Sequence, residues 1–254
     1  MMQRVLALLF LLIATPLHAA EELVAAMSKD NIGITTQFTG SEVLIYGAVR
    51  RDAPEPYGAP LHVIVTLEGP PGAVTVRRKD RRFGIWINTE SVGIAAAPSY
   101  YAVATTGTLS TILRPEIDQR ERISVPLAIR SFDGPVEVED TRPFTEALLR
   151  IRENEGLYAL NERGVRLIEQ TLFRAEFLLP ANLVEGNYKA RIFLTRDGRL
   201  IDKYQAAISV QKVGLERWVS ALSKNSPLGY GLLSLIVAVA AGWAASEAFA
   251  RLRR

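Results

Sequence analysis

Five cations lie within six consecutive positions in the first half of the chain. They are Arg77, Arg78, Lys79, Arg81 and Arg82, and Asp80 interrupts them. Guanidinium groups match the geometry of phosphate and other oxyanions, so this cluster could hold a small anion, a lipid headgroup or an acidic protein surface. The same charges could also simply solvate the end of a hairpin and prevent edge aggregation.

Aromatic residues offer a second kind of contact. Trp86 falls on the opposite parity to Ile85 and Ile87, so the strand presents an aromatic side chain on its other face. That face is either a second buried surface or an exposed contact, and packing in a core is the favoured interpretation. Tyr100 and Tyr101 present the same choice. The candidate aromatic contacts are therefore Trp86, Tyr100 and Tyr101.

The residue inventory restricts catalysis severely. The chain has no cysteine, and His62 is the one histidine outside the first 20 residues. Disulfides, thiol nucleophiles and thiolate metal sites are thus excluded, and at most one imidazole is available. His62 opens an apolar strand, where a lone histidine is usually structural. With no G-x-S-x-G, H-E-x-x-H or glycine-rich phosphate loop in the sequence, we expect no catalytic residue, no metal and no cofactor.

A membrane span is predicted near the C-terminus. No charged side chain occurs from Asn225 to Ser246, and three arginines follow at positions 251, 253 and 254. A bilayer core needs about 20 apolar residues at helical rise, so residues 227–248 are predicted to cross it. The positive-inside rule then places the basic tail, residues 249–254, in the cytoplasm and the preceding residues outside it.

The N-terminus has the pattern of a secretory signal. Arg4 precedes the apolar run Val5 to Ala14, and small residues end in Ala19 and Ala20. We predict cleavage after one of these alanines, which makes residues 1–20 the signal peptide; an uncleaved anchor is the alternative. The mature protein is then a single-pass membrane protein whose N-terminal region lies outside the cytoplasm.

The net charge of +3 does not indicate nucleic-acid binding. Four of the 30 basic residues are Arg4 and the three terminal arginines, and one of the 27 acidic residues is Glu247. Residues 21–226 are therefore electrically neutral, and the excess charge belongs to targeting and topology.

Short alternating apolar runs separated by turn residues predict a mainly β region. We expect two β-sandwich, immunoglobulin-like domains, at residues 21–130 and 131–213, with the second interrupted by a helix at about 142–155. That helix has helical periodicity, Pro143 in its first turn and Gly156 after its end. Asp197-Gly198 predicts a tight hairpin turn.

Two features adjoin the membrane. Apolar residues at helical spacing predict a short juxtamembrane helix at 214–226, with a plain linker as the alternative. Within the span, small residues recur at every fourth position, and such a stripe permits close helix packing or arises by chance in an alanine-rich span. The candidate packing residues are Ser234, Ala238, Gly242 and Ser246.

Several short motifs occur in a characteristic order ahead of the span. They are Gly84-Ile85-Trp86-Ile87-Asn88, Pro98-Ser99-Tyr100-Tyr101-Ala102, Gly156-Leu157-Tyr158, Leu172-Phe173-Arg174-Ala175, Gly186-Asn187-Tyr188 and Glu216-Arg217-Trp218. In this order the chain resembles the alphaproteobacterial putative transmembrane protein family, whose function is unknown. The resemblance implies a Gram-negative inner-membrane protein whose relatives are linked to a sulfite-exporter-like permease. It implies no catalytic residue.

These observations favour a membrane-anchored periplasmic accessory protein over an enzyme. Its expected partner is an inner-membrane assembly, for example an anion permease of the sulfite type, or a second copy of the chain. The alternative is a periplasmic domain that binds or senses a small oxyanion at Arg77–Arg82. An uncharacterised hydrolase is the third hypothesis.

Overall fold

The computed structural model describes residues 21–35, 37–52, 58–133, 140–214, 219 and 222–252. The predicted signal peptide, residues 1–20, lies outside the described residues. Residues 215–218, 220 and 221 of the predicted juxtamembrane helix do too, whereas its residues 214, 219 and 222–226 are described.

Strands dominate the described chain. The strands are β1 Glu21–Met27, β2 Asn31–Ile34, β3 Ser41–Arg51, β4 His62–Glu68, β5 Pro71–Arg82, β6 Ile85–Pro98, β7 Tyr101–Thr105, β8 Arg130–Asp133, β9 Tyr158–Asn161, β10 Val165–Ile168, β11 Leu172–Leu179, β12 Gly186–Arg196 and β13 Arg199–Lys212. The helices are α1 Leu109–Ile112, α2 Pro115–Glu121, α3 Val125–Ala128, α4 Arg142–Asn154 and α5 Pro227–Leu252. The predicted mainly β class with a C-terminal helix is confirmed.

The first sheet has four strands in the order β1-β3-β11-β10, all antiparallel neighbours. Its strand β11 shows why the sequence folds this way, because buried and exposed residues alternate along all eight positions. Phe173, Ala175, Phe177 and Leu179 face the core, while the residues between them face solvent. This is the period of two that a half-buried strand requires.

The second sheet has six strands in the order β2-β13-β12-β4-β7-β9. The pairs β13 with β2 and β7 with β9 are parallel, and the others are antiparallel. Strand β4 lies in the middle of this sheet, and all of its residues after His62 are buried. Val63, Ile64, Val65 and Leu67 supply most of this burial, as the near-continuous apolar run of a strand covered on both faces does, with Thr66 and Glu68 buried beside them.

The two large sheets share one hydrophobic core that extends from Leu23 to Val210. Strand β3 pairs with β11, β4 with β12 and β7 with β9, so each sheet contains strands from both sides of residue 130. The predicted division into separate sandwiches at residues 21–130 and 131–213 is therefore wrong for the paired strands. Local patterns identified the strands but not their long-range partners. The immunoglobulin-like classification stays a prediction.

Strands β5, β6 and β8 form a third, smaller sheet, against which α4 packs. Their contact is a second apolar cluster, separate from the main core. Its buried members are Val76, Val92, Ile94, Ala97, Phe144 and Leu148.

Helix α4 confirms the predicted helix at 142–155. Pro143 lies in its first turn, and Gly156 follows its end with φ of 69°. The Gly156 amide donates to the Glu153 carbonyl, and the Leu157 amide donates to the Arg152 carbonyl at 2.8 Å. This pair of bonds is the Schellman arrangement, which satisfies the last carbonyls of a helix and requires a left-handed residue after it.

Helix α5 contains an apolar stretch, Pro227–Ser246, which is long enough to cross a bilayer. It agrees with the predicted span at 227–248. The predicted β-hairpin is also confirmed, since Asp197 and Gly198 both have positive φ and join β12 directly to β13.

Candidate interaction surface on the β5–β6 hairpin

Strands β5 and β6 form one long antiparallel hairpin. Their pairing extends from Pro71 opposite Pro98 to Arg82 opposite Ile85. Phe83 and Gly84 close it with φ of 51° and 83°, both in the left-handed region that a two-residue hairpin turn demands. Glycine adopts this conformation freely, whereas a bulky residue such as phenylalanine does so at a cost. The turn therefore keeps Phe83 in an unfavourable backbone conformation at the end of the ribbon.

Burial along this hairpin stops well before the apex. The last buried cross-strand pair is Val76 with Val92. Seven further residues lead from Val76 to Phe83, which at strand rise is about 20 Å. Every residue from 77 to 88 is exposed. We call residues 77–88 the hairpin tip.

The two arms of the hairpin tip differ in chemistry. The β5 arm carries the five cations, and the β6 arm carries the apolar residues. Cross-strand partners share a face, so Arg82 lies beside Ile85 and Arg81 beside Trp86, on opposite faces of the ribbon. Both faces therefore combine cationic and apolar side chains.

The apolar side chains of the hairpin tip are unusually exposed. Phe83 is fully exposed, Trp86 is 68% exposed and Ile85 is 63% exposed. The expectation that Trp86 packs in the core is wrong, because the ribbon extends beyond the core and none of the described strands covers either face there. Contiguous exposed apolar groups of this kind mark interaction sites more often than isolated ones do.

Charge at the hairpin tip is only partly compensated. Arg78 pairs with Glu90 at 2.8 Å, and Arg82 approaches Asp80 at 3.9 Å. Within the described part of the chain, Arg77 and Lys79 form no ion pair. The hairpin tip is therefore strongly positive, although residues 21–226 as a whole have a net charge of zero.

A groove of about 410 Å³ lies where the base of the hairpin tip meets α4. Cations from both elements line it, and Glu146 adds one acid. The lining residues are Val76, Arg77, Arg78, Lys79, Pro143, Phe144, Glu146, Ala147 and Arg150. The predicted anion site thus falls in two places, the bare apex and this groove.

Tyr100 and Tyr101 are not surface contacts. Both are buried, and their hydroxyls donate to carbonyls of Leu178 and Ile123 at 3.3 and 2.8 Å. Burial raises the pKa of each phenol well above its ordinary value. These residues fill the core and satisfy buried carbonyls there, as the favoured interpretation of the sequence had it, so they are wrong as candidate aromatic contacts.

His62 also has a structural environment. Its Nδ1 lies 3.1 Å from the Thr106 hydroxyl, and partial burial lowers its pKa. Among the described residues, no group of three potential metal ligands occurs. His62 is therefore a hydrogen-bonded residue at the start of β4.

Periodicity in the sequence gave no signal for a buried ion cluster. The Glu21 carboxylate contacts Arg51 Nε at 2.7 Å and Arg196 at 2.7 and 3.1 Å, which joins a residue of the second sheet to two of the first. Burial opposes ionisation of Glu21, but the hydrogen bonds and charges of both arginines outweigh it and hold its pKa below the ordinary value. These three residues lie far apart in sequence, so no local motif could have revealed them.

The small residues of the span lie where predicted, on α5. Ser234 donates its hydroxyl to the Tyr230 carbonyl at 2.9 Å, one turn earlier. A Cβ added to Gly242 would meet no atom within 4 Å. Packing through Ser234, Ala238, Gly242 and Ser246 stays a prediction.

Comparison with curated proteins found no similar sequence. Comparison with protein families was informative over almost the entire region that follows the predicted signal. Residues 22–251 match the family described as Putative transmembrane protein (Alph_Pro_TM), and the chain belongs to that family.

Proposed function

We propose that this protein is a membrane-anchored periplasmic accessory protein of an inner-membrane assembly, and that the hairpin tip is its contact surface. The observation that carries the proposal is the exposure of Phe83, Ile85 and Trp86 beside five cations. Tryptophan and arginine are the residues enriched at the energetic centres of interfaces. An anion permease of the sulfite type is the partner class that we favour.

Energetics supports a contact role. A large apolar side chain loses about 1.5–3 kcal/mol of hydrophobic stabilisation when it stays in water instead of being buried. Several apolar side chains of the hairpin tip lack this stabilisation because they stay exposed. The apolar contact with α4 stabilises only the base of the hairpin, up to Val76 and Val92. A rigid base with a bare end suits recognition, because little ordering is needed on binding.

Orientation is part of the proposal. The terminal arginines and the uncharged stretch before them favour a cytoplasmic C-terminus and a periplasmic domain. Alkaline phosphatase fused after Val213 should be active, and the enzyme fused after Arg254 should be inactive. The reverse pattern would contradict the periplasmic location and with it the proposed function.

The contact can be tested by photocrosslinking in intact cells. A photoreactive amino acid in place of Asn88 leaves every cation and apolar residue of the hairpin tip unchanged. We expect a crosslink to an inner-membrane protein that is lost in the Arg78→Glu/Arg82→Glu variant. The matched control replaces Asn182, an exposed residue between β11 and β12, and should give no such product.

The outcome separates a contact surface from a merely solvated hairpin end. A product that survives the charge reversal, or no product from position 88, would contradict the proposed contact. A product from both positions would show that the hairpin tip is not the preferred surface.

Binding of a small oxyanion is the second candidate, and the groove between the hairpin tip and α4 favours it. Arg77, Arg78, Lys79 and Arg150 line this groove, and guanidinium forks suit sulfate, sulfite or phosphate. Calorimetric titration of the detergent-solubilised full chain with sulfite should then show binding that Arg150→Gln weakens. Binding that is absent, or equal in both proteins, would exclude this candidate.

A further inference from the structure

We propose that the apex of the hairpin tip inserts into the headgroup region of an anionic bilayer. In this arrangement Phe83, Ile85 and Trp86 enter the boundary between headgroups and acyl chains, and Arg81 and Arg82 bind lipid phosphates. The inference rests on the proposed function, because it takes the hairpin tip as the contact surface. It assigns the apex, residues 81–86, to lipid and leaves the remaining exposed residues of the hairpin tip, 77–80 and 87–88, to the protein partner.

The arrangement of side chains around the ribbon argues for lipid at the apex. Ile85 and Arg82 share one face, Trp86 and Arg81 share the other, and Phe83 lies beyond both at the turn. A protein surface that covers one face leaves the other face in water. A bilayer interface surrounds an inserted ribbon on both faces, so every apolar group at the apex can leave water together.

The chemistry at the apex matches the depth profile of that interface. Tryptophan is enriched at the headgroup level, where its ring is amphipathic. Interfacial elements combine aromatic and aliphatic groups with lysine and arginine, which reach back to the phosphates. At the apex, Arg82 is the cross-strand partner of Ile85 and Arg81 is that of Trp86. Each cation therefore lies within one side-chain length of an apolar residue on the same face.

The tether keeps the folded domain near a membrane. Strand β13 ends at Lys212 and the apolar helix begins at Pro227. The 14 intervening residues span at most about 50 Å when fully extended. Because the anchor keeps the whole domain beside the bilayer, the hairpin meets lipid at high effective concentration, and a modest intrinsic affinity is sufficient.

Trp86 can report its own insertion. The chain has three tryptophans, and Trp218→Phe/Trp243→Phe leaves only Trp86. The full-length double variant is reconstituted into vesicles of phosphatidylcholine alone or with about 30% phosphatidylglycerol, an anionic lipid that attracts basic segments. Quenching of Trp86 emission by lipids brominated at different acyl positions then measures depth.

We expect Trp86 emission to shift to shorter wavelength and to be quenched by shallow bromines in the anionic vesicles. Adding Arg81→Gln/Arg82→Gln should lower the partition of the apex about 25-fold, because each cation near an anionic surface contributes about fivefold. Matched Arg166→Gln/Arg199→Gln, at exposed sites elsewhere, should leave the quenching unchanged.

Two results would overturn the inference. One is Trp86 emission that stays water-like and unquenched in anionic vesicles, and the other is quenching that does not depend on Arg81 and Arg82. Photocrosslinking from position 88 is measured separately in cells. A crosslinked protein together with an unquenched Trp86 would leave the proposed function standing and refute lipid insertion alone.

Discussion

Two arginine-containing regions of this protein have opposite environments. At the edge of the core, Arg51 and Arg196 are 13% and 15% exposed, and both bind the carboxylate of Glu21, which is 2% exposed. At the hairpin tip, Arg78 and Arg82 are 57% and 62% exposed, and apolar side chains beside them face water. Burial and a complete set of partners make the first region structural, whereas the second is available for binding.

The same hairpin shows this contrast along its own length. Its base is buried against α4 by Val92, Ile94 and Phe144, whereas every residue of its tip is exposed. Stabilising the base requires no residue beyond Val76. Extension of both strands beyond that point therefore has no explanation in folding, and this supports a role in recognition.

The largest effect on stability is expected at Glu21. Glu21→Gln leaves two largely covered arginines without their counter-charge, and breaking a buried ion pair costs about 3–5 kcal/mol. For a domain of this size the melting temperature should fall by about 6–20 °C. Thermal unfolding followed by circular dichroism measures this fall.

Glu22→Gln is the matched control for that change. Glu22 is the next residue and pairs with Arg50, but both side chains are more than half exposed. Its loss should shift the melting temperature little, since exposed pairs contribute about 0–1 kcal/mol. Equal effects from the two variants would contradict the structural role of the Glu21 cluster.

The base of the hairpin is tested by phenylalanine truncation. Phe144→Ala removes a buried ring from the contact between α4 and the hairpin and should cost about 3 kcal/mol. Phe83→Ala removes the same ring from the fully exposed apex and should change stability by less than about 0.5 kcal/mol. Chemical denaturation measures the loss of stability in both variants. A larger loss for Phe83→Ala than for Phe144→Ala would refute the division of the hairpin into a buried base and an exposed tip.

Acidic pH should weaken the Glu21 cluster. The folded-state pKa of Glu21 lies below its ordinary value of 4.5, so its ionised form stabilises the fold above that pH. This contribution is lost as pH falls through the folded-state pKa. The difference in stability between wild type and Glu21→Gln should therefore shrink between pH 7 and pH 3. A difference that stays constant over this range would contradict a depressed pKa.

Charge reversal at the hairpin tip should have the smallest effect on folding. Arg78→Glu/Arg82→Glu removes one exposed ion pair and one distant contact, which amounts to less than about 1 kcal/mol. The melting temperature should therefore stay nearly unchanged while binding to an acidic partner or an anionic surface is lost. A variant that unfolds would show that these cations are structural.

Local patterns in the sequence were sufficient for the features that local chemistry determines. The helix that begins at Arg142, the Asp197-Gly198 turn and the apolar span each depend on neighbouring residues, and each was predictable. The cationic run at the hairpin tip was recognisable for the same reason.

Features that depend on distant contacts were not predictable. A period of two assigns Trp86 and Ile85 to opposite faces, but it does not reveal whether anything packs against either face. The pairing of β3 with β11, and of Glu21 with Arg196, joins residues more than 100 positions apart. No single-sequence pattern contains that information, and so the domain boundary and the ion cluster escaped prediction.

Solvent protection at the hairpin tip in its native membrane is the most direct test of whether this surface is a contact. Because the chain has no cysteine, Asn88→Cys and Asn182→Cys each introduce a unique reactive thiol. We expect a water-soluble maleimide to label position 88 slowly in native membranes and rapidly in detergent, with position 182 labelled rapidly in both. Rapid labelling of position 88 in native membranes would show that the hairpin tip is uncovered and would contradict its role as a contact surface.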